Sequence, residues 1–172
     1  MLSNSIIQVV AFFLLFTAIS VPLGLYMAKV FSNQRTFLDP VLGPIERLIY
    51  RVCGINPGVE MGWAGYTIAM LSFSLISMIF LYALQRLQYY LPLNPQGLPG
   101  VPPGLAFNTA ASFTTNTNWQ AYSGEQTLSY LTQMVGLTSH NFLSAAAGIA
   151  MAAAVIRGFA RRSAKTLGNF WV

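Results

Sequence analysis

The 172-residue chain is 55% hydrophobic and only 8% charged, where soluble domains carry about 25% charged residues. Together with a mean hydropathy of +0.56, this excludes an ordinary water-soluble globule and points to a membrane protein. Nine basic residues against four acidic ones give a net charge of +5, which in a membrane protein reports orientation first and implies no nucleic acid; the single cysteine, Cys53, supports neither a disulfide framework nor a thiolate zinc site.

Stretches 1–28, 61–85, 87–124 and 126–156 contain no formally charged side chain, and about 20 apolar residues suffice for a helix to cross the hydrocarbon core. Residues 6–28 are expected to form the first transmembrane helix, with Pro22 near its end, where a kink is tolerated. A cleavable signal peptide is the competing reading, but its leading segment should be basic and residues 1–5 hold no Lys or Arg. Within 32–60, Ile45, Leu48, Ile49 and Val52 recur at helical spacing opposite Glu46, Arg47 and Arg51, between Pro44 and Gly54. That pattern fits a short amphipathic helix lying on the bilayer surface or one packed on a partner subunit. A second span is expected over 63–84 and a third over about 128–156.

The stretch 87–124 differs, because Pro92, Pro95, Pro99, Pro102 and Pro103 forbid a continuous helix. After Pro103 and Gly104 the residues become helix-compatible as far as Thr115, enough for about 16 Å, or half a bilayer. A half-length helix followed by Asn116-Thr117-Asn118-Trp119 fits a re-entrant hairpin, and also an exposed surface loop. The absence of charge favours the re-entrant form. In such a loop, backbone carbonyls can line an ion path only where residues accept unusual φ, and Asn116 and Asn118 are suited to this. The preceding half-helix would aim its partially negative end at a cation.

Lys29, Arg35, Arg47 and Arg51 lie between the first two spans, Arg157, Arg161, Arg162 and Lys165 follow the third, and Arg86 alone falls on the other side. The distribution predicts an outside N terminus and a cytoplasmic C-terminal end. His140 lies within the third span, where an ionisable residue is a functional candidate, although a neutral histidine serves equally as hydrogen-bonding glue between helices, the reading favoured here. Ser144, Gly148 and Ala152, four residues apart, suit close approach of another helix. Catalysis has no constellation: there is no phosphate-binding GxxxxGK[ST] loop, one aspartate (Asp39), and three glutamates far apart in sequence.

The segments Tyr90-Leu91-Pro92-Leu93-Asn94-Pro95-Gln96, Asn108-Thr109-Ala110, Thr115-Asn116-Thr117-Asn118-Trp119-Gln120, Tyr122-Ser123-Gly124-Glu125, Leu128-Ser129-Tyr130 and Asn141-Phe142-Leu143-Ser144-Ala145-Ala146, with Pro22-Leu23-Gly24 and Leu167-Gly168-Asn169, resemble the potassium-binding A subunits (KdpA) of bacterial potassium-importing P-type ATPases. The resemblance implies an all-α membrane protein: one extra transmembrane helix (1–31), a cytoplasmic loop with an interfacial helix (32–60), one potassium-channel-like repeat (61–156, with a pore helix at 104–115, a filter loop and a closing helix) and a cytoplasmic basic tail (157–172). It further implies that Thr115, Asn116, Thr117 and Asn118 form one quarter of a potassium selectivity filter, with Gln120 just outside it, and that no nucleotide binds this chain. ATP hydrolysis and assistance would come from the B and C subunits (KdpB and KdpC) in the inner membrane.

Family members are several times longer and carry four filter loops, so the resemblance implies a truncated portion. The rival expectation is a non-conducting structural subunit assembling through the small-residue face of its third span. A pore of four identical chains is a further geometric option.

Overall fold

The computed structural model describes residues 2–32, 34–160 and 165–172; Arg161 and Arg162, counted in the basic tail, lie outside these. The chain falls into two units, 1–56 and 57–172. Among the described residues the secondary-structure elements are all helical, as expected. Three helical segments, Ile6–Phe31, Trp63–Tyr90 and Thr132–Ala160, are long and apolar enough to cross a membrane.

The first unit holds α1 (Leu2–Phe31) and α2 (Asp39–Cys53). Pro22 sits inside α1, which it can do in an apolar helix because neighbouring groups re-satisfy the freed carbonyls. The turn before α2 is closed by the Asp39 carboxylate, which accepts the Thr36 backbone N–H at 2.8 Å and the Thr36 hydroxyl at 2.5 Å. Pro40 follows in the first turn of α2, where its missing N–H costs nothing. Gly54 ends the helix at φ 65°, its N–H returning to Tyr50 O, the left-handed cap that glycine adopts without strain. None of the described α2 side chains is buried within the unit.

The second unit is built on α3 (Trp63–Leu87), which continues as a 3-10 turn over Gln88–Tyr90. The proline-rich segment then folds back along the end of α3. Gly100 makes this approach possible, since a Cβ there would lie 2.5 Å from Arg86 O. Val101 N–H donates to Gln85 O at 3.1 Å and Arg86 Nη1 to Val101 O at 2.5 Å. The half-length helix is α4 (Pro103–Thr114), packed on α3, and a one-turn α5 (Gly124–Thr127) precedes the third span.

That span opens with a π-helical stretch, Thr132–Thr138, and runs on as α6 (Ser139–Ala160). The expected start near residue 128 is therefore modified. Leu128 is instead a buried extended residue that joins Leu81, Val101, Ala106, Ala110 and Phe113 in the core between α3, α4 and the π stretch. Within the unit, α6 buries His140, Ser144, Ala147 and Ala154, while Ala152, expected on the small-residue face, is exposed.

Residues 165–172 turn back to the start of α3. Met61 N–H donates to Gly168 O at 2.7 Å and Leu167 N–H to Met61 O at 2.9 Å, while Phe170 packs edge-on against Tyr66 and Phe73.

Buried amides hold the segments together. Gln88, fully enclosed, donates to Pro99 O at 2.6 Å and Thr127 O at 2.8 Å, and accepts from Ser129 N–H at 3.1 Å and the Thr132 hydroxyl at 3.2 Å. One side chain thus ties the end of α3 to the loop before α4 and to the beginning of the third span, satisfying four polar groups that would otherwise be costly to bury.

Candidate functional site

The loop 115–120 leaves the C-terminal end of α4. Pro103, with its φ preset for a helix start, and the apolar contacts of Ala106, Ala110 and Phe113 with the core fix where α4 begins and how far it reaches. At its end, Ser112 gathers the chain. Its carbonyl accepts the N–H of Thr117 at 2.9 Å and of Asn118 at 3.2 Å, together with the Thr117 hydroxyl at 3.0 Å. Its hydroxyl accepts the N–H of Trp119. Asn116 N–H donates to Phe113 O at 3.3 Å, and the Thr115 hydroxyl bonds Ala111 O at 2.9 Å.

Four successive N–H groups, from Asn116 to Trp119, therefore point back at the helix end. Because the peptide bonds of the loop are trans, each N–H is antiparallel to the carbonyl of the residue before it. The carbonyls of Thr115, Asn116, Thr117 and Asn118 consequently point the opposite way, as a row, and accept no hydrogen bond among the described residues. Such a row needs alternating backbone handedness. Thr115 has φ −87°, whereas Asn116 and Asn118 have φ 61° and 57°, the left-handed region that asparagine tolerates better than other residues with a Cβ.

All of residues 115–120 are exposed within the described chain, Gln120 included. The partially negative end of α4 lies at the base of the loop, and no formal charge lies within 114–120. This is chemistry for a weakly hydrated cation: several neutral oxygen dipoles and no carboxylate to hold the ion too tightly. Beyond the loop, the Glu125 carboxyl is held below its usual value by its own backbone N–H and by the Ser123 hydroxyl, which donates at 2.8 Å. Burial pushes the Tyr122 phenol up to about 12, so it stays neutral.

His140 is buried between α3 and α6. One ring nitrogen lies 2.9 Å from Gly136 O and the other 2.9 Å from Ser77 O, and the ring stacks on Phe80. A neutral imidazole carries a single N–H and so donates to only one of these two carbonyls, tying α6 either to its own preceding turn or to α3, in keeping with the packing reading. Among the described residues no group of three or more His, Cys, Asp or Glu side chains could hold a metal ion. Sequence reasoning missed Ser112 and Gln88. A signal for Ser112 exists, a hydroxyl one turn before the end of a half-helix, but its role depends on the loop reversing onto it.

Residues 10–172 match the family model of the potassium-transporting ATPase A subunit, KdpA. The chain is 60% identical, over its whole length, to the potassium-transporting ATPase potassium-binding subunit of Koribacter versatilis, 56% identical to that of Solibacter usitatus, and 58% identical over 99% of its length to that of Rhodospirillum centenum. It spans 29–30% of the length of these curated relatives. A match over nearly the whole chain places it, plainly, in the KdpA family of potassium-transporting ATPase A subunits.

Proposed function

We propose that this chain supplies one carbonyl-lined quarter of the potassium path of an ATP-driven potassium importer in the bacterial inner membrane, with Thr115, Asn116, Thr117 and Asn118 contributing the oxygens and Gln120 flanking their outer side. The observation that carries this reading is the row of four unpaired carbonyls held from behind by Ser112. A single row cannot surround an ion, so the remaining oxygens come from other filter loops. The sequence holds no phosphate-binding GxxxxGK[ST] loop, and in this proposal ATP hydrolysis belongs to a separate catalytic subunit, KdpB, assisted by KdpC. The distribution of basic residues supports an outside N terminus, an outside 87–124 hairpin and a cytoplasmic 32–60 loop.

Because backbone oxygens do the coordinating, the test must perturb φ and leave charge alone. A β-branched residue in the left-handed region costs roughly 1–2 kcal/mol, while glycine adopts it freely. In the assembled transporter, Asn118→Val is expected to raise the potassium concentration for half-maximal uptake roughly tenfold, and Asn118→Gly to stay within a few-fold of the parent. Equal, parent-like affinities for both variants in stably assembled protein would remove the loop from the ion path.

A further inference from the structure

Beside the end of α4, side chains of α3, α4 and α6 line a small, partly open cavity of about 10 Å³. Its polar lining comes from all three helices: Ser74 and Ser77 of α3, Thr114 at the end of α4, and His140 and Ser144 of α6. The Thr114 Oγ1 is enclosed and has no hydrogen-bond partner among the described residues. A buried hydroxyl in that condition is costly unless something bonds it. The volume matches a single water, which requires a polar pocket of about 10–15 Å³ and two to four partners.

We propose that this cavity is a binding site for one water molecule, bonded to Thr114 Oγ1 and bridged to the hydroxyls of α3 and to Ser144. Hydroxyls both donate and accept, which suits a neutral water. A cation at the same place would be buried without any carboxylate among the lining residues, at a large desolvation cost. His140 also lines the cavity, with its ring nitrogens against the carbonyls of Gly136 and Ser77.

The site bears on the loop through Ser144. Its hydroxyl lies 3.2 Å from Asn116 Oδ1 and 2.5 Å from His140 O, and it has one proton to give to either. A water donating to the Ser144 oxygen leaves that proton for His140 O or Asn116 Oδ1, whereas a water accepting it takes it from both, so the water sets the hold on Asn116, one of the two left-handed residues of the loop. Thr114 and Ser144 are thus positioning residues that act on the loop through Asn116. The water site stands on geometry alone; its effect on ion binding rests on the reading of the loop given above.

The test is a structure of the assembled transporter at a resolution that shows ordered water, for the parent and for the isosteric Thr114→Val, with Thr114→Ser as the conservative control. One peak within hydrogen-bond distance of Thr114 Oγ1 is expected in the parent and in Thr114→Ser, and none in Thr114→Val. The proposal is overturned if the parent shows no peak there while other buried waters are resolved, if the peak persists unchanged in Thr114→Val, or if thallium replaces it with an anomalous signal. Potassium uptake by Thr114→Val and Ser144→Ala should show a half-saturating concentration raised roughly threefold to tenfold, rescued in Thr114→Ser. Water lost with unchanged affinity, alongside a defective Asn118→Val, refutes the positioning role and leaves the ion path standing. A parent-like Asn118→Val refutes the ion path and leaves the water site to the density.

Discussion

Ser112 shows how much of the site depends on one residue. Its carbonyl would survive replacement by alanine, but its hydroxyl would not, and the Trp119 N–H would lose its partner at the point where the loop turns outward. Losing that hydrogen bond costs about 0.5–1.5 kcal/mol. Ser112→Ala is therefore expected to lower the thermal midpoint of the purified protein by several degrees and to weaken potassium binding in parallel, measured by unfolding in detergent with and without the ion. A midpoint equal to the parent's would show that Ser112 does not hold the loop. At this scale Asn116 and Asn118 were legible from composition, because tolerance of positive φ is a property of the residue itself. Ser112 was not, since a serine in a helix acquires this role only when the chain reverses onto it.

Among elements, the proline-rich segment and α4 follow the chain's local chemistry closely: proline excludes a helix before residue 103 and starts one there. How tightly this segment lies along α3 is a matter of packing. Gly100→Ala would press a methyl into Arg86 O, and overpacking against backbone costs about 1–3 kcal/mol. The expected outcome is a reduced yield of monodisperse protein by size exclusion, with Gly104→Ala, which has open space around its Cβ position, as the unaffected comparison. The third span shows the opposite relation. Its apolar length was readable, but not the π-helical stretch, because Gly136 lies where a Cβ would meet Leu81 and Leu84 side chains at 2.9 Å. The extra residue in that turn accommodates contacts between segments about 50 residues apart in sequence, which no local periodicity encodes.

For the molecule as a whole, the orientation is open to a direct check. Cys53 is exposed at the end of α2, and the orientation proposed above from the basic residues has the 32–60 loop in the cytoplasm. A membrane-impermeant maleimide should modify Cys53, mapped by peptide mass spectrometry, in inside-out vesicles and not in intact spheroplasts. Modification in intact spheroplasts would invert the topology and, with it, the side from which the loop 115–120 is reached.

Helix type, span number and the half-length helix were written in one dimension: runs without charge, lengths matched to a bilayer, and prolines that stop or start a helix. These act on each residue independently of its distant neighbours, and so did the motifs that resemble the KdpA family. The carbonyl row, the Gln88 ties, the buried face of α6 and the cavity beside Thr114 came from folding alone. Each joins groups brought together across tens of residues, such as Gln88 with Thr132 and Ser144 with Asn116, and a hydrogen bond across that span exists only after the helices have packed.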